Sequence, residues 1–207
     1  MTRTPASQPQ PRYDGPGLRV AFVPGVTPDK WARSWRERPG RIRLQLVALD
    51  AAEAEAAVRS GEVDMALVRL PVEPTDLHLV RLYDEVPVVV VSREHPIAAY
   101  DDIALADLAA EQLVTGPPGD LVPTVDQLDF PVMSDQEAVE VAAAGTGVVV
   151  LPMSVARLHH RKDVVARPVR DLEPTTVALV WRVDRDDELT QAFVGVVRGR
   201  TPRSSRG

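Results

Sequence analysis

Few residues of this chain are of the types that most often carry catalysis or bind metals. Its 207 residues include no cysteine and four histidines, His78, His95, His159 and His160. The absence of cysteine excludes a disulfide, a thiolate nucleophile and a cysteine-ligated metal. His159 and His160 are adjacent, so on a helix they point to different faces, and no His-x3-His, His-Glu-x-x-His or Gly-x-Ser-x-Gly pattern occurs. Gly145-Thr146-Gly147 lacks the third glycine of a dinucleotide-binding loop. We therefore expect no enzyme activity, no metal and no cofactor.

The charge distribution argues against a nucleic-acid-binding surface. The chain carries 24 basic and 30 acidic residues, a net charge of −6. Residues 1–17 carry +1 and residues 198–207 carry +4, so residues 18–197 carry −11. Phosphate binding needs clustered lysine and arginine, and the central part of the chain has the opposite balance. We therefore expect no direct DNA binding.

The two ends of the chain are predicted to be disordered. Residues 1–17 contain four prolines and no apolar periodicity, and residues 198–207 form a basic tail. No stretch is long and apolar enough for a membrane span, and the start lacks the apolar core of a secretory signal. We expect a cytoplasmic protein without membrane contact.

Between these ends, the hydrophobic pattern predicts strands that alternate with helices. Strands are expected at residues 18–23, 42–47, 65–68, 86–91, 112–115, 148–151 and 177–182. Helices are expected after Thr27-Pro28-Asp29, from Asp50 to Gly61, at 105–108, from the Ser134–Glu137 capping box to about 144, at 154–160 and at 188–197. This alternation indicates an α/β fold with a parallel or mixed sheet.

Four segments occur in an order that is typical of one family. They are VRSGEVDMALVRLP (58–71), VVVVSREHPIA (88–98), SDQEAVEVAAAGTGVVVLPMSVARL (134–158) and VALVWRVDRDDELTQAFVGVVR (177–198). Together they resemble the effector-binding (substrate-binding) domain of LysR-type transcriptional regulators. The resemblance implies a two-lobed, type 2 periplasmic-binding-protein-like fold with mixed sheets and two crossover strands. Lobe I would comprise residues 18–91 plus 165–197, and a shortened lobe II would comprise residues 92–164.

The sequence departs from the family pattern in three places. Regulators of this family carry a winged helix-turn-helix and a linker helix before the effector domain, whereas only 17 residues precede Leu18 here. The first helix is about one turn shorter than usual, and the segment between Thr115 and Met133 lacks most of one lobe II helix. These departures predict a stand-alone effector-binding domain. A fragment of a longer regulator remains the alternative.

The resemblance also predicts which residues face the cleft. In this fold two lobes close on a small molecule, often an anion, because helix N-termini direct free N–H groups into the cleft. The matching positions are Val26, Thr27, Asp50 and Arg69 in lobe I, and Thr115, Gly116, Met133 and Ser134 in lobe II.

Several of these residues have a simpler structural interpretation. Thr27 and Ser134 are also good helix N-caps. Arg69 would clamp a carboxylate, or would only pair with a nearby acid such as Glu73. Asp50 is acidic where an anion would sit, and its neighbour Ala51 stands where the family commonly has a hydroxyl. These two residues favour an amine-bearing or neutral ligand, unless Asp50 acts only as a cap.

Two functional hypotheses follow. The first is a small-molecule effector-binding protein that works by lobe closure, with a regulatory role through a partner. The second is a degenerate, ligand-free scaffold that serves as a protein-interaction module. The resemblance also allows a homodimer through lobe I helices, with Trp31 and Trp35 as candidates for its interface; the alternative is that both pack inside the lobe.

Overall fold

The computed structural model describes residues 17–38 and 42–199. The predicted disorder of the two ends therefore falls largely outside the described residues. The described chain forms eight strands in two sheets and five α-helices, with short 3₁₀ turns at Pro96–Ala99, Leu105–Leu108 and Val183–Arg185. No described helix is long and apolar enough to cross a membrane.

The first lobe is built on a five-stranded mixed sheet in the order β2-β1-β3-β8-β4. Its strands are β1 (Gly17–Phe22), β2 (Arg43–Ala48), β3 (Met65–Arg69), β4 (Leu77–Glu85) and β8 (Thr175–Arg182). Strand β1 runs parallel to β2 and β3, and β8 is antiparallel to both β3 and β4. Helices α1 (Asp29–Arg36), α2 (Ala51–Ser60) and α5 (Glu188–Val197) belong to this lobe.

The second lobe is built on a three-stranded antiparallel sheet in the order β6-β5-β7. Its strands are β5 (Pro87–Ser92), β6 (Val149–Pro152) and β7 (Val164–Pro168), and its helices are α3 (Asp135–Ala143) and α4 (Met153–Leu158). The valines of β5 are almost wholly buried, because both faces of this sheet are covered by apolar clusters.

The tryptophans of α1 pack inside the first lobe. Trp31 and Trp35 are each 5% exposed. The Trp35 ring meets Phe193 of α5 edge-on at 5.6 Å, and its Nε1 donates a 2.9 Å hydrogen bond to the carbonyl of Ile42. These side chains are not available as a dimer interface, so that interpretation is wrong and the packing alternative is confirmed.

The structure contains two strands that the sequence pattern did not predict, β4 and β7. Both mix apolar with charged or polar residues, and four of the nine residues of β4 are exposed at the sheet edge, so neither strand shows a clear apolar signal. Conversely, the strand predicted at 112–115 is reduced to one bridge between Leu113 and Val148. The strand predicted at 86–91 is present as β5.

The pairing of β5 and β7 differs from the predicted division into lobes. The prediction assigned residues 87–91 and 165–168 to lobe I, whereas β5 and β7 pair with each other in the second sheet. A continuous apolar run indicates burial on both faces but does not indicate which sheet a strand joins. The chain crosses between the sheets before Pro87 and after Pro168.

Candidate ligand-binding site

A cavity of about 740 Å³ lies where the two lobes meet. Its first wall comes from the loop after β1 and from the segment that joins β2 to α2. These segments adjoin because β1 and β2 are parallel neighbours, with Phe22 opposite Ala48, so their carboxyl ends share one sheet edge. The second wall comes from α4 of the other lobe. The lining residues are Phe22, Pro24, Gly25, Val26, Thr27, Ala48, Leu49, Asp50, Glu53, Ser154, Arg157 and Leu158.

The loop before α1 presents Thr27 at the cavity rather than as a helix cap. Helix α1 begins at Asp29 with Pro28 at the N-cap position and no side-chain cap. The amides of Trp31 and Ala32 both donate to the carbonyl of Pro28. The prediction of Thr27 as the N-cap is therefore wrong, since Pro28 occupies that position. Thr27 is exposed, whereas the neighbouring Val26 is buried.

The start of α2 places two carboxylates on the same wall. Asp50 is the N-cap residue, and Glu53 reaches back to accept a 3.2 Å hydrogen bond from the Asp50 amide. The helix ends at Gly61 with φ 77°, as the sequence predicted. Within the described residues, Asp50 and Arg157 of the opposite wall form no ion pair. The cavity thus carries two carboxylates and one guanidinium.

Arg69 is not among the residues that line the cavity, but it bonds to two residues that are. Its Nε donates to Glu85 at 2.7 Å, its Nη1 to the carbonyl of Pro24 at 2.8 Å and its Nη2 to the hydroxyl of Ser154 at 2.9 Å. The acid that pairs with Arg69 is Glu85, and the expected partner Glu73 instead accepts hydrogen bonds from Thr75. Glu85 neutralises Arg69, which leaves little positive charge for a ligand carboxylate.

The lobe II residues predicted for the site line a different cavity. Thr115, Gly116 and Met133 border a space of about 430 Å³ formed by residues 113–117 and 127–133. Ser134 caps α3: its Oγ accepts from the Glu137 amide at 3.3 Å, and Glu137 accepts from the Ser134 amide and hydroxyl at 2.8 Å each. These bonds hold the pKa of Glu137 below its ordinary value. The eight predicted residues are therefore not gathered in one cavity.

Comparison with known proteins decides the family. The LysR substrate binding domain matches residues 16–202, nearly the whole chain. This chain belongs to that family. The LysR substrate-binding domain occurs in transcriptional regulators, and two curated relatives illustrate this. The hca operon transcriptional activator HcaR of Escherichia coli is 28% identical over 89% of this chain, and the regulator AlsR of Bacillus subtilis is 21% identical over 90%. The chain spans 65% of the length of each relative.

Solved structures confirm the two-lobed fold of this LysR substrate-binding domain. The BenM effector-binding domain with its effector benzoate gives a TM-score of 0.72 at 19% identity, covering 89% of this chain and 94% of that one. The reduced form of the OxyR regulatory domain from Pseudomonas aeruginosa gives a TM-score of 0.65 at 21% identity, covering 89% of this chain and 95% of that one. Both are type 2 periplasmic-binding-protein-like folds, as the sequence predicted.

Sequence reasoning missed the residues that this LysR domain contributes from α4. Ser154 and Arg157 are three residues apart and so share one helix face, which was a detectable signal in the helix predicted at 154–160. Glu85, a charged residue directly before a valine-rich strand, was a second signal. Neither signal indicates which residues of the other lobe these side chains contact. Among the described residues, no group of three or more histidines or acids is placed to hold a metal ion.

Proposed function

We propose that this LysR substrate-binding domain binds a small molecule bearing a protonated amine in the cavity between its lobes. The observation that carries the proposal is the composition of the two walls. Asp50 and Glu53 belong to one lobe, and Ser154 and Arg157 belong to the other. A molecule that contacts both walls binds more tightly when the two lobes are closed than when they are open. This difference in affinity shifts the equilibrium toward the closed arrangement.

The charges of the cavity support an amine over a carboxylate. The exposed carboxylate of Asp50 has no cationic partner among the described residues, whereas the Arg69 guanidinium is paired with Glu85. At an exposed carboxylate such as Asp50, a ligand ammonium group is attracted and a second carboxylate is repelled, each by about 0–1 kcal/mol because solvent screens the charges. Arg157 on the opposite wall suits a polar acceptor at the other end of the ligand.

The remaining lining residues support an apolar body between those polar ends. Phe22, Val26, Leu49 and Leu158 contribute aromatic and aliphatic surface to the cavity. Ligand sites of this size commonly combine mostly apolar walls with a few polar groups that fix orientation. An arylalkylamine with a hydroxyl at the far end of its ring, such as tyramine, has this combination of groups.

Thermal unfolding with chemically matched ligand pairs tests the proposal. The pairs are tyramine against 3-(4-hydroxyphenyl)propionate and benzylamine against benzoate. A ligand at 100 times its Kd adds about 2.7 kcal/mol, which raises the Tm of a domain of this size by roughly 5–10 °C. We expect the amines to raise the Tm and the carboxylates to leave it unchanged.

A variant pair assigns the effect to the cavity. Asp50→Asn keeps the size of the side chain and removes its charge, so it should reduce the rise in Tm caused by the amine. Asp135→Asn is the matched control, because Asp135 is also an exposed acid at a helix start but lies outside this cavity. Stabilisation by carboxylates alone would contradict the ligand class. No shift across the panel, in a protein that melts cooperatively, would favour the ligand-free interaction scaffold.

We also propose that ligand binding in this domain serves regulation through a partner protein. The support is membership of a family of transcriptional regulators, together with an acidic net charge that is unsuited to phosphate contacts. We expect the 207-residue chain not to retard a DNA probe in a gel at about 150 mM salt. Retention of that probe at sub-micromolar protein would contradict this part of the proposal.

A further inference from the structure

One arginine connects both walls of the cavity. Pro24 and Ser154 line the cavity from opposite lobes, and Arg69 donates a hydrogen bond to each of them from behind. We propose that Arg69 is an inter-lobe clasp, a positioning residue that holds α4 of the second lobe against the β1–α1 loop of the first. The inference concerns the domain without ligand, so it stands or falls separately from the proposed function.

The clasp is anchored rigidly in the first lobe. Arg69 is the last residue of β3 and Glu85 the last residue of β4, and both strands pair with β8, where Val177 and Thr175 are their partners. The sheet therefore fixes the two backbones, and their ion pair at 2.7 Å fixes the guanidinium plane. The Arg69 and Glu85 side chains are only 15% and 5% exposed, so water competes little for this pair.

The second-lobe end of the clasp is a single hydroxyl. Ser154 is the second residue of α4 and accepts the 2.9 Å bond from Nη2 of Arg69. Of the side-chain hydrogen bonds found between described residues, this one joins the first-lobe sheet to a second-lobe helix; the others lie within one lobe. Breaking it leaves the Arg69–Glu85 pair and the bond to Pro24 in place. The link between the lobes can thus be removed without disturbing the anchor.

The two lobes approach each other closely beside this hydrogen bond. Gly25 adjoins Pro24, and a Cβ built on Gly25 would lie 2.6 Å from the Ser154 hydroxyl and 3.0 Å from Nη2 of Arg69. The loop, the guanidinium and α4 therefore meet at one point with no room for a further atom. Movement of α4 away from the loop must break the Arg69–Ser154 bond, because Ser154 moves with α4 while Glu85 and Pro24 hold Arg69 in the first lobe.

Distance measurement between the lobes tests the clasp. The chain has no cysteine, so spin labels can be attached to cysteines introduced at Ala56 of α2 and Gln136 of α3, both exposed. Double electron–electron resonance on the ligand-free chain then reports the distribution of inter-lobe distances. We expect a narrow distribution for the labelled parent and a broader one, longer by several ångströms in its mean, for Ser154→Ala.

Two further variants keep the test decisive. Ser92→Ala is the matched control, because Ser92 is similarly half-buried but its hydroxyl accepts only from the nearby Glu94 amide. It should keep the parent distribution. Arg69→Lys retains a cation beside Glu85 but cannot reach three acceptors at once, so it should broaden the distribution as Ser154→Ala does. An unchanged distribution in Ser154→Ala, or equal broadening in Ser92→Ala, would overturn the inference.

Discussion

Gly25 and Ser154 are in contact across the two lobes, at a separation that leaves no space for a side chain on the glycine. A Cβ on Gly25 would lie 2.6 Å from the Ser154 hydroxyl and 3.0 Å from its carbonyl carbon. Gly25 also has φ 83°, in the left-handed region that favours glycine. Both the backbone conformation and the packing therefore require glycine here.

Gly25→Ala should destabilise the protein more than backbone strain alone does. The left-handed conformation costs an alanine about 1–2 kcal/mol, and the contact with Ser154 adds to that cost. Gly116→Ala is the control, because Gly116 has φ 85° but no atom within 4 Å of its added Cβ. Urea unfolding should show a larger loss of unfolding free energy for Gly25→Ala than for Gly116→Ala. Equal losses in the two variants would contradict the close contact.

Glu85→Gln should lower the free energy of unfolding substantially. It leaves the largely buried Arg69 guanidinium without its carboxylate, and removing one partner of a buried ion pair costs about 3–5 kcal/mol. Asp163→Asn breaks the pair with Arg161, whose two side chains are both about half exposed (53% and 43%). Because solvent screens this pair, its loss should cost much less than the loss of the buried pair. Chemical denaturation compares the two variants. A loss at Glu85 as small as that at Asp163 would show that the buried pair contributes little.

Ser134→Ala should lose more stability than Thr27→Val, although both positions look like helix caps in the sequence. Ser134 accepts a hydrogen bond from the Glu137 amide, so its loss should cost about 1 kcal/mol. Thr27 is exposed and caps no helix, so Thr27→Val should stay within about 0.5 kcal/mol of the parent. The Tm values of the two variants check this, and a comparable loss at Thr27 would mean that its hydroxyl stabilises the loop before α1.

Tyr83 should make stability fall at high pH. Partial burial of its phenol, and then the nearby Glu85 carboxylate, raise the pKa of Tyr83 above the ordinary value of 10.0. The folded state therefore favours the neutral phenol, so this contribution is complete below pH 10 and is lost as the pH rises through the folded-state pKa. Phenolate absorbance should show a late-titrating tyrosine that Tyr83→Phe removes and Tyr100→Phe leaves in place. A late transition that persists in Tyr83→Phe would contradict the assignment.

The sequence predicted the elements whose signals are local. The α2 segment from Asp50 to Gly61 has an acidic start and a glycine stop, and α5 has an apolar face, and both helices are confirmed at nearly the predicted bounds. Strands β4 and β7 were missed because their stability comes from pairing with distant strands rather than from their own apolar pattern.

The candidate site was less predictable, because it depends on contacts across the lobes. Val26, Thr27 and Asp50 border one cavity, since each follows a strand of one parallel pair. The second wall was expected from residues around Thr115 and Ser134, whereas α4 supplies it. Helix position alone could not show this, because the relative placement of two lobes is fixed by long-range bonds such as that between Arg69 and Ser154.

The order of strands in the five-stranded sheet has a consequence for synthesis on the ribosome. In the described sheet, β4 pairs with β8 alone, and the whole second lobe lies between these two strands in the chain. All three strands of the second sheet are therefore translated before the partner of β4 exists. The second lobe can fold as a unit while the backbone edge of the nascent β4 still lacks its partner. Until β8 has been synthesised, this strand edge is open to pairing with another chain.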